Sequence, residues 1–183
     1  AQIVCTFPPY RGGIGNSVYN ISEALSDLGH EVTVFTPNYD YPDEESKFTD
    51  RLADEEGKFT IRRLRPIVKF GNGAFLPQLF FKLNDFDIIH LHYPFYGALK
   101  AVLLKKLLSG KKMKLLLHYH MDNRATGLKG FIFYLYKIFC LPWLARSAKI
   151  ITCASLDYIK HSNLGKYYRL RPNKFRQISF GVN

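Results

Sequence analysis

Cysteine is scarce in this sequence: Cys5, Cys140 and Cys153 are odd in number, far apart and set in apolar runs. That pattern excludes a disulfide framework and suits reduced core thiols in a cytosolic protein. No secretory leader is visible, and the longest apolar run, 131–144, is broken by Lys137 and Pro142 and reads as too short to span a bilayer. Internal repeats and low-complexity segments are also missing, which argues against a solenoid or a disordered chain. Acids thin out along the chain. Eight of the 15 Asp and Glu lie in 40–56, and from Lys58 onward 23 Lys and Arg face only Asp85, Asp87, Asp122 and Asp157. The net charge of +11 favours an anionic partner, whether phosphorylated substrate, anionic membrane face or nucleic acid. The charges are dispersed, so a plain soluble surface is the blander reading.

What is present is an ordinary globular composition: 183 residues, 47% hydrophobic and 22% charged, enough for one domain with a full core. The chain is organised around Pro8-Pro9-Tyr10-Arg11-Gly12-Gly13-Ile14-Gly15-Asn16. Before it, 3–7 is a β-branched run suited to a buried parallel strand. After it, Ile14, Val18, Ile21, Leu25 and Leu28 recur at helical spacing. Three glycines at such a joint let backbone N–H groups approach a ligand beside the partly positive helix N-terminus, a place for an anion or a sugar hydroxyl. A tight turn without a ligand is the alternative. A dinucleotide fingerprint is excluded, because Val18 stands where the third glycine belongs and the second strand ends Phe35-Thr36-Pro37 without a ribose-binding acid. A nicotinamide-dependent oxidoreductase is disfavoured with it.

Further strands are expected at 31–36, 59–64, 87–92, 114–119, 149–153 and 175–180, with a long polar loop over 37–57. Helices are expected at 98–108, at 128–145 and from a Ser155 cap to about 163. Segment 65–82 mixes Pro, Gly and aromatics; it reads either as an exposed apolar patch with a basic edge or as a short core helix. Helix 128–145 is apolar nearly all round, so it is expected to be packed on two sides within the core, the other reading being a helix lying on a membrane. Strands alternating with helices at this rhythm predict an α/β, doubly wound, mainly parallel Rossmann-like sheet.

Two pairs, His90-x-His92 and His118-x-His120, each share a strand face and could meet at the carboxyl edge, where ligands bind in such sheets. A four-histidine metal site is conceivable, but hydrogen-bonded core histidines are commoner and no Cys or carboxylate pair has ligand spacing. His120 is the better candidate: a neutral imidazole at a strand end, able to donate to a substrate or orient a hydroxyl. Asp122 beside it would hold the tautomer or cap the next turn.

A strand, then Phe-Pro-Pro-x-x-Gly-Gly-Ile-Gly, then a helix ending Leu28-Gly29-His30-Glu31-Val32 resembles the N-terminal domain of group 1 (family 4) retaining glycosyltransferases of the GT-B fold. The resemblance continues at 86–92, at Tyr119-His120-Met121-Asp122, at 148–155 and at 178–183. It implies that Gly12 and Gly13 face an interdomain cleft, that His120 contacts the transferring sugar, and that Ser155 opens the helix after the sixth strand. Departures are His118 where a small residue is usual, Met121 for a polar residue and Asn183 for the customary Asp.

The candidate set is therefore His120 as catalytic residue, with Gly12, Gly13, Ile14, Gly15, Asp122, His92 and Ser155 for donor and acceptor. No metal or other cofactor is expected. The implied enzyme moves a hexose, with retention, from a nucleotide-diphospho-sugar to a hydroxyl acceptor, for which a lipid-linked or polysaccharide molecule of the cell envelope is suited. Residues 1–180 would form the acceptor-side domain and 181–183 the start of a hinge to an absent C-terminal domain that carries most donor contacts. The chain would then be a fragment, trimmed before Ala1 and inactive alone. Cytoplasmic placement, with peripheral contact at the inner membrane face, and no nucleic-acid partner complete the expectation. The alternative is a basic nucleic-acid- or membrane-binding α/β module without catalysis.

Overall fold

A computed structural model describes residues 1–10, 12–38, 52–53, 57–70 and 73–178. The expected acidic loop and the 181–183 hinge fall largely outside these residues. Ten strands and seven α-helices are found among the described residues. The main sheet comprises β1 (Gln2–Ile3), β2 (Thr33–Pro37), β3 (Leu52–Ala53), β4 (Thr60–Leu64), β7 (Ile88–Tyr93), β8 (Lys114–Tyr119), β9 (Ile150–Cys153) and β10 (Phe175–Gln177). Their order is β10-β9-β8-β7-β1-β2-β4-β3; all are parallel except β3, which pairs antiparallel with β4 at the edge. The expected doubly wound α/β sheet is thus present, with seven parallel strands.

Helix α1 (Gly13–Asp27) lays Val18 and the flanks of Ile14, Tyr19 and Leu25 on Val4, Phe7, Val34 and Ile61, forming the smaller core. It stops in a glycine-based cap: Gly29, at φ 85°, donates its N–H to Ser26 C=O at 2.8 Å, and His30 donates to Leu25 C=O at 3.1 Å. The opposite sheet face carries the larger core, built from Ile3, Ile89, Leu91, Leu115 and Leu117 against α3 (Tyr96–Ser109) and α5 (Leu141–Ser147). Gly97 is where α3 comes closest to its neighbours: a Cβ there would lie 1.6 Å from Ala74 C=O, so only glycine fits.

Segment 65–82 satisfies both of its readings in part. It forms a hairpin, β5 (Val68–Phe70) and β6 (Gly73–Phe75), followed by α2 (Leu79–Lys82). Leu76, Leu79 and Leu83 are buried, whereas Ile67, Val68 and Phe81 are exposed. The expected helix after Ser155 is α6 (Leu156–His161); the hairpin and the further helix α7 (Gly165–Leu170) were not anticipated from the sequence.

Two-sided core burial of the aromatic helix is corrected. The helix runs through α4 (Gly127–Leu135), a π turn at Tyr136–Cys140 and α5. No residue of α4 or the π turn is buried, and only Leu141, Leu144 and Ala145 of α5 are. Phe133 and Tyr136 pack inward on Tyr96, with ring centroids 4.8 and 4.9 Å away. Leu128, Phe131, Ile132, Leu135 and Phe139 form a second apolar stripe at helical spacing, and that stripe faces outward. Gly127–Ser147 spans 21 residues, and an 18-residue stretch within it has a mean hydropathy of 1.3, long and apolar enough to cross a bilayer by length and composition, contrary to the shorter run read from the sequence.

Candidate functional site

Because the strands are parallel, the loop after β1 and the loop after β8 leave the sheet at the same edge, with only β7 between them. The glycine corner and His120 therefore share the carboxyl rim. At the corner, Gly12 is the extended residue before α1, at φ −157° and ψ 143°. Gly15 is buried under the loop: a Cβ there would lie 2.8 Å from Thr6 C=O and 3.0 Å from Phe7 Cα. Gly13 is exposed, and a Cβ there would meet nothing within 4 Å. Ile14 is half-buried in the smaller core. Arg63, itself buried on β4, donates from Nη2 to Pro8 C=O and so brings a guanidinium under the corner, a cation that local sequence did not reveal.

The register of the central strands builds the other half of the rim. His92 lies beside His118 and Tyr93 beside Tyr119, so histidines line one face and tyrosines the other. His92 Nε2 is 2.9 Å from Gln2 Oε1, and His92 Nδ1 is 3.0 Å from His120 Nε2. With Gln2 presenting its carbonyl oxygen, His92 carries its proton on Nε2, accepts at Nδ1 from His120 Nε2–H, and leaves the His120 lone pair on Nδ1. In that tautomer His120 suits orienting a hydroxyl by accepting its hydrogen bond, rather than donating one to a substrate.

Burial is the main cause that holds these imidazoles neutral. Burial alone brings His118 to about 4; burial first, then His118 and the N-terminus, bring His90 to about 3, and burial first, then His118 and His90, bring His120 to about 3. His92 falls well below the usual imidazole range by desolvation and by the neighbouring histidines His90, His120 and His118.

Asp122 is committed elsewhere. It accepts from Tyr119 Oη–H and from Asn163 N–H at 3.2 Å, while its own N–H donates to Tyr158 Oη at 2.8 Å. It thus clamps the end of β8 to the α6–α7 connection rather than only capping the local turn. Ser155 caps α6 by accepting from Tyr158 N–H at 3.2 Å. Tyr93 and Tyr119 stack with centroids 4.9 Å apart, and burial pushes both hydroxyls above the usual phenol range.

Beyond this clamp opens a cavity of about 800 Å³ between α4 and the α6–α7 pair. Arg124, Lys137, Lys160, Lys166 and Arg169 surround it, and Tyr93 and Tyr96 line it too. Those residues lie up to 45 positions apart in the chain (124 to 169), so no local motif announced the cluster.

A parallel sheet with a glycine turn and an imidazole on its carboxyl rim defines the class as a Rossmann-like α/β domain, consistent with the N-terminal half of a GT-B enzyme. The sequence model described as Glycosyltransferase Family 4 matches residues 11–183, nearly the whole chain, and the chain belongs to that family. It is a glycosyltransferase domain of the group 1 type, as the resemblance implied. No curated protein matches it.

Proposed function

We propose that this chain is the acceptor-side half of a retaining hexosyltransferase whose donor is a nucleotide-diphospho-sugar and whose acceptor is a hydroxyl on a lipid-linked or polysaccharide molecule. The observation that carries the reading is the shared rim, where the glycine corner and a neutral His120 flank one strand. Transfer breaks the bond from the anomeric carbon to the diphosphate and forms one to the acceptor hydroxyl on the same face. The transition state is oxocarbenium-like, so fixed dipoles and positive charge at the leaving diphosphate matter more than a protein nucleophile. The Gly12–Gly15 amides and the α1 N-terminus would supply dipoles, His120 Nδ1 would orient the acceptor, and a second domain would supply most donor contacts. The cationic cavity next to Asp122 suits an acceptor carrying phosphate.

The outward stripe of α4 suits peripheral contact with an anionic membrane at the cytoplasmic face. Because Leu141, Leu144 and Ala145 anchor the far end of the helix in the core, lying on the surface fits better than crossing it.

The test uses a protein carrying this chain together with its second domain. His120→Ala should lower turnover about a hundredfold or more while donor affinity changes little. Near-normal turnover would remove His120 from the site, and a product of inverted anomeric configuration by NMR would overturn retention. Normal transfer by the 183-residue chain alone would overturn its role as half of a site.

A further inference from the structure

His90, His92 and His118 stand side by side on β7 and β8, all buried, and each offers a ring nitrogen within 4.8 Å of the other two. His90 Nε2 is enclosed without a hydrogen-bond partner among the described residues, a costly state for a polar atom. Each of the other two is held at its second nitrogen by a polar side chain. Gln2 Oε1 accepts from His92 Nε2–H at 2.9 Å. Thr152 Oγ1, which donates to Leu117 C=O at 3.4 Å, lies 3.0 Å from His118 Nδ1 and so accepts a hydrogen bond from His118 Nδ1–H. These two oxygens put the lone pairs on His92 Nδ1 and His118 Nε2, the arrangement by which outer partners orient metal-ligating imidazoles.

A path leads in from outside. A cavity of about 590 Å³ at the amino edge of the sheet is lined by Gln2 and His90. Glu31, Asp85 and Asp87 also line it, against Arg62, His30 and the Ala1 amino group, in a chain of net charge +11. Acids gathered in a cavity that reaches a row of neutral imidazoles, in so basic a protein, favour a cation there.

We infer that His90, His92 and His118 form a binding site for a divalent transition-metal ion of the zinc class, reached through the acidic cavity at the amino edge. Imidazole nitrogens suit zinc, cobalt, nickel and copper rather than magnesium or calcium. Tetrahedral zinc holds its nitrogens roughly 3.4 Å apart, so ring rotations that close the trio by about an ångström complete the geometry. His120 Nε2, 3.0 Å from His92 Nδ1, is placed to become the fourth ligand once its proton moves to its own Nδ1, which also releases the His92 Nδ1 lone pair that the hydrogen bond engages. The ion would then withdraw His120 from the rim and slow transfer. That last consequence alone rests on the reading of His120 above; the site itself does not.

The test is a titration of the chelator-treated chain with cobalt(II). One equivalent per chain should give the visible absorption of four-coordinate cobalt, displaced by zinc, and His90→Asn and His118→Asn should each weaken binding tenfold or more. Surface His161→Asn should leave it unchanged. Should the core variants fail to fold, nitrogen-15 spectra of the unsubstituted chain decide: zinc should shift the ring nitrogens of His90, His92 and His118 and not those of His161. No cobalt spectrum at several equivalents, as when a water satisfies these nitrogens, would overturn the inference. So would shifts confined to His30 and His161. Zinc that binds by spectrum yet leaves transfer unaffected would overturn only the link to His120.

Discussion

Replacing Gly13 and Gly15 separately by alanine distinguishes a glycine that serves packing from one that serves a ligand. At Gly15 the new methyl would sit 2.8 Å from Thr6 C=O and 3.0 Å from Phe7 Cα, both backbone atoms. Ordinary contact needs roughly half an ångström more, so α1 must retreat from the loop. Such overpacking costs about 1–3 kcal/mol, partly offset by the better helix propensity of alanine, up to about 1 kcal/mol. A net loss of about 1–2 kcal/mol should lower Tm by roughly 2–8 °C in a chain of this size. At Gly13 the methyl meets nothing within 4 Å, and no positive φ is recorded there, so Gly13→Ala should melt at or slightly above the unsubstituted protein. That methyl nevertheless stands in the open space before the α1 amides. In a protein carrying the second domain, Gly13→Ala should lower kcat/KM by about tenfold or more, equivalent to about 1.4 kcal/mol of lost transition-state stabilisation. Thermal unfolding followed by circular dichroism, run beside a transfer assay, reads both outcomes. Gly15→Ala as stable as the parent, or Gly13→Ala transferring at the parent rate, would refute the division of labour.

The histidine row should make the metal-free chain acid-labile. Its imidazoles are held below the 6.5 of the unfolded chain, so the unfolded state binds more protons and stability falls as pH drops from about 6.5 toward the folded values of about 3 to 4. In the presence of chelator, urea unfolding at pH 6.5, 5.5 and 4.5 should lose roughly 1.4 kcal/mol per pH unit for each such group, and a flat profile would contradict the burial of neutral imidazoles. Replacing Phe131 and Phe139 by serine should reduce binding to anionic phospholipid vesicles in a sedimentation assay by about tenfold, with Tm hardly changed because neither side chain is buried. Equal binding by both proteins would remove this stripe as the membrane contact.

Much of the framework was written locally. β8 was expected at 114–119 and lies at Lys114–Tyr119, because a basic residue leads a short continuous apolar run of the kind a buried parallel strand shows. The stop of α1 was announced by Leu28-Gly29-His30, and Ser155 caps as its residue type suggests. What escaped depends on partners far along the chain. Asp122 reads as a local cap, yet its carboxylate reaches Asn163, 41 residues on. Arg63 looks like any strand arginine until Pro8 appears above it, 55 residues away. The hairpin at 68–75 hid behind glycines and aromatics that permit turn, strand or helix alike, and the π turn at Tyr136–Cys140 carries no residue signature. The aromatic helix was misjudged because composition reports how apolar a surface is and not whether anything covers it.

The alternation of histidine and tyrosine along β7 and β8 has a consequence for assembly of the sheet. A slip of one residue between these strands would turn one of them over, sending its histidine into the hydrocarbon side and its tyrosine toward the imidazole side. Each misplaced side chain would lose its partner at once, so a wrong pairing is rejected by chemistry as well as by shape. The central strands thereby proofread their own alignment before either loop at the rim is put in place.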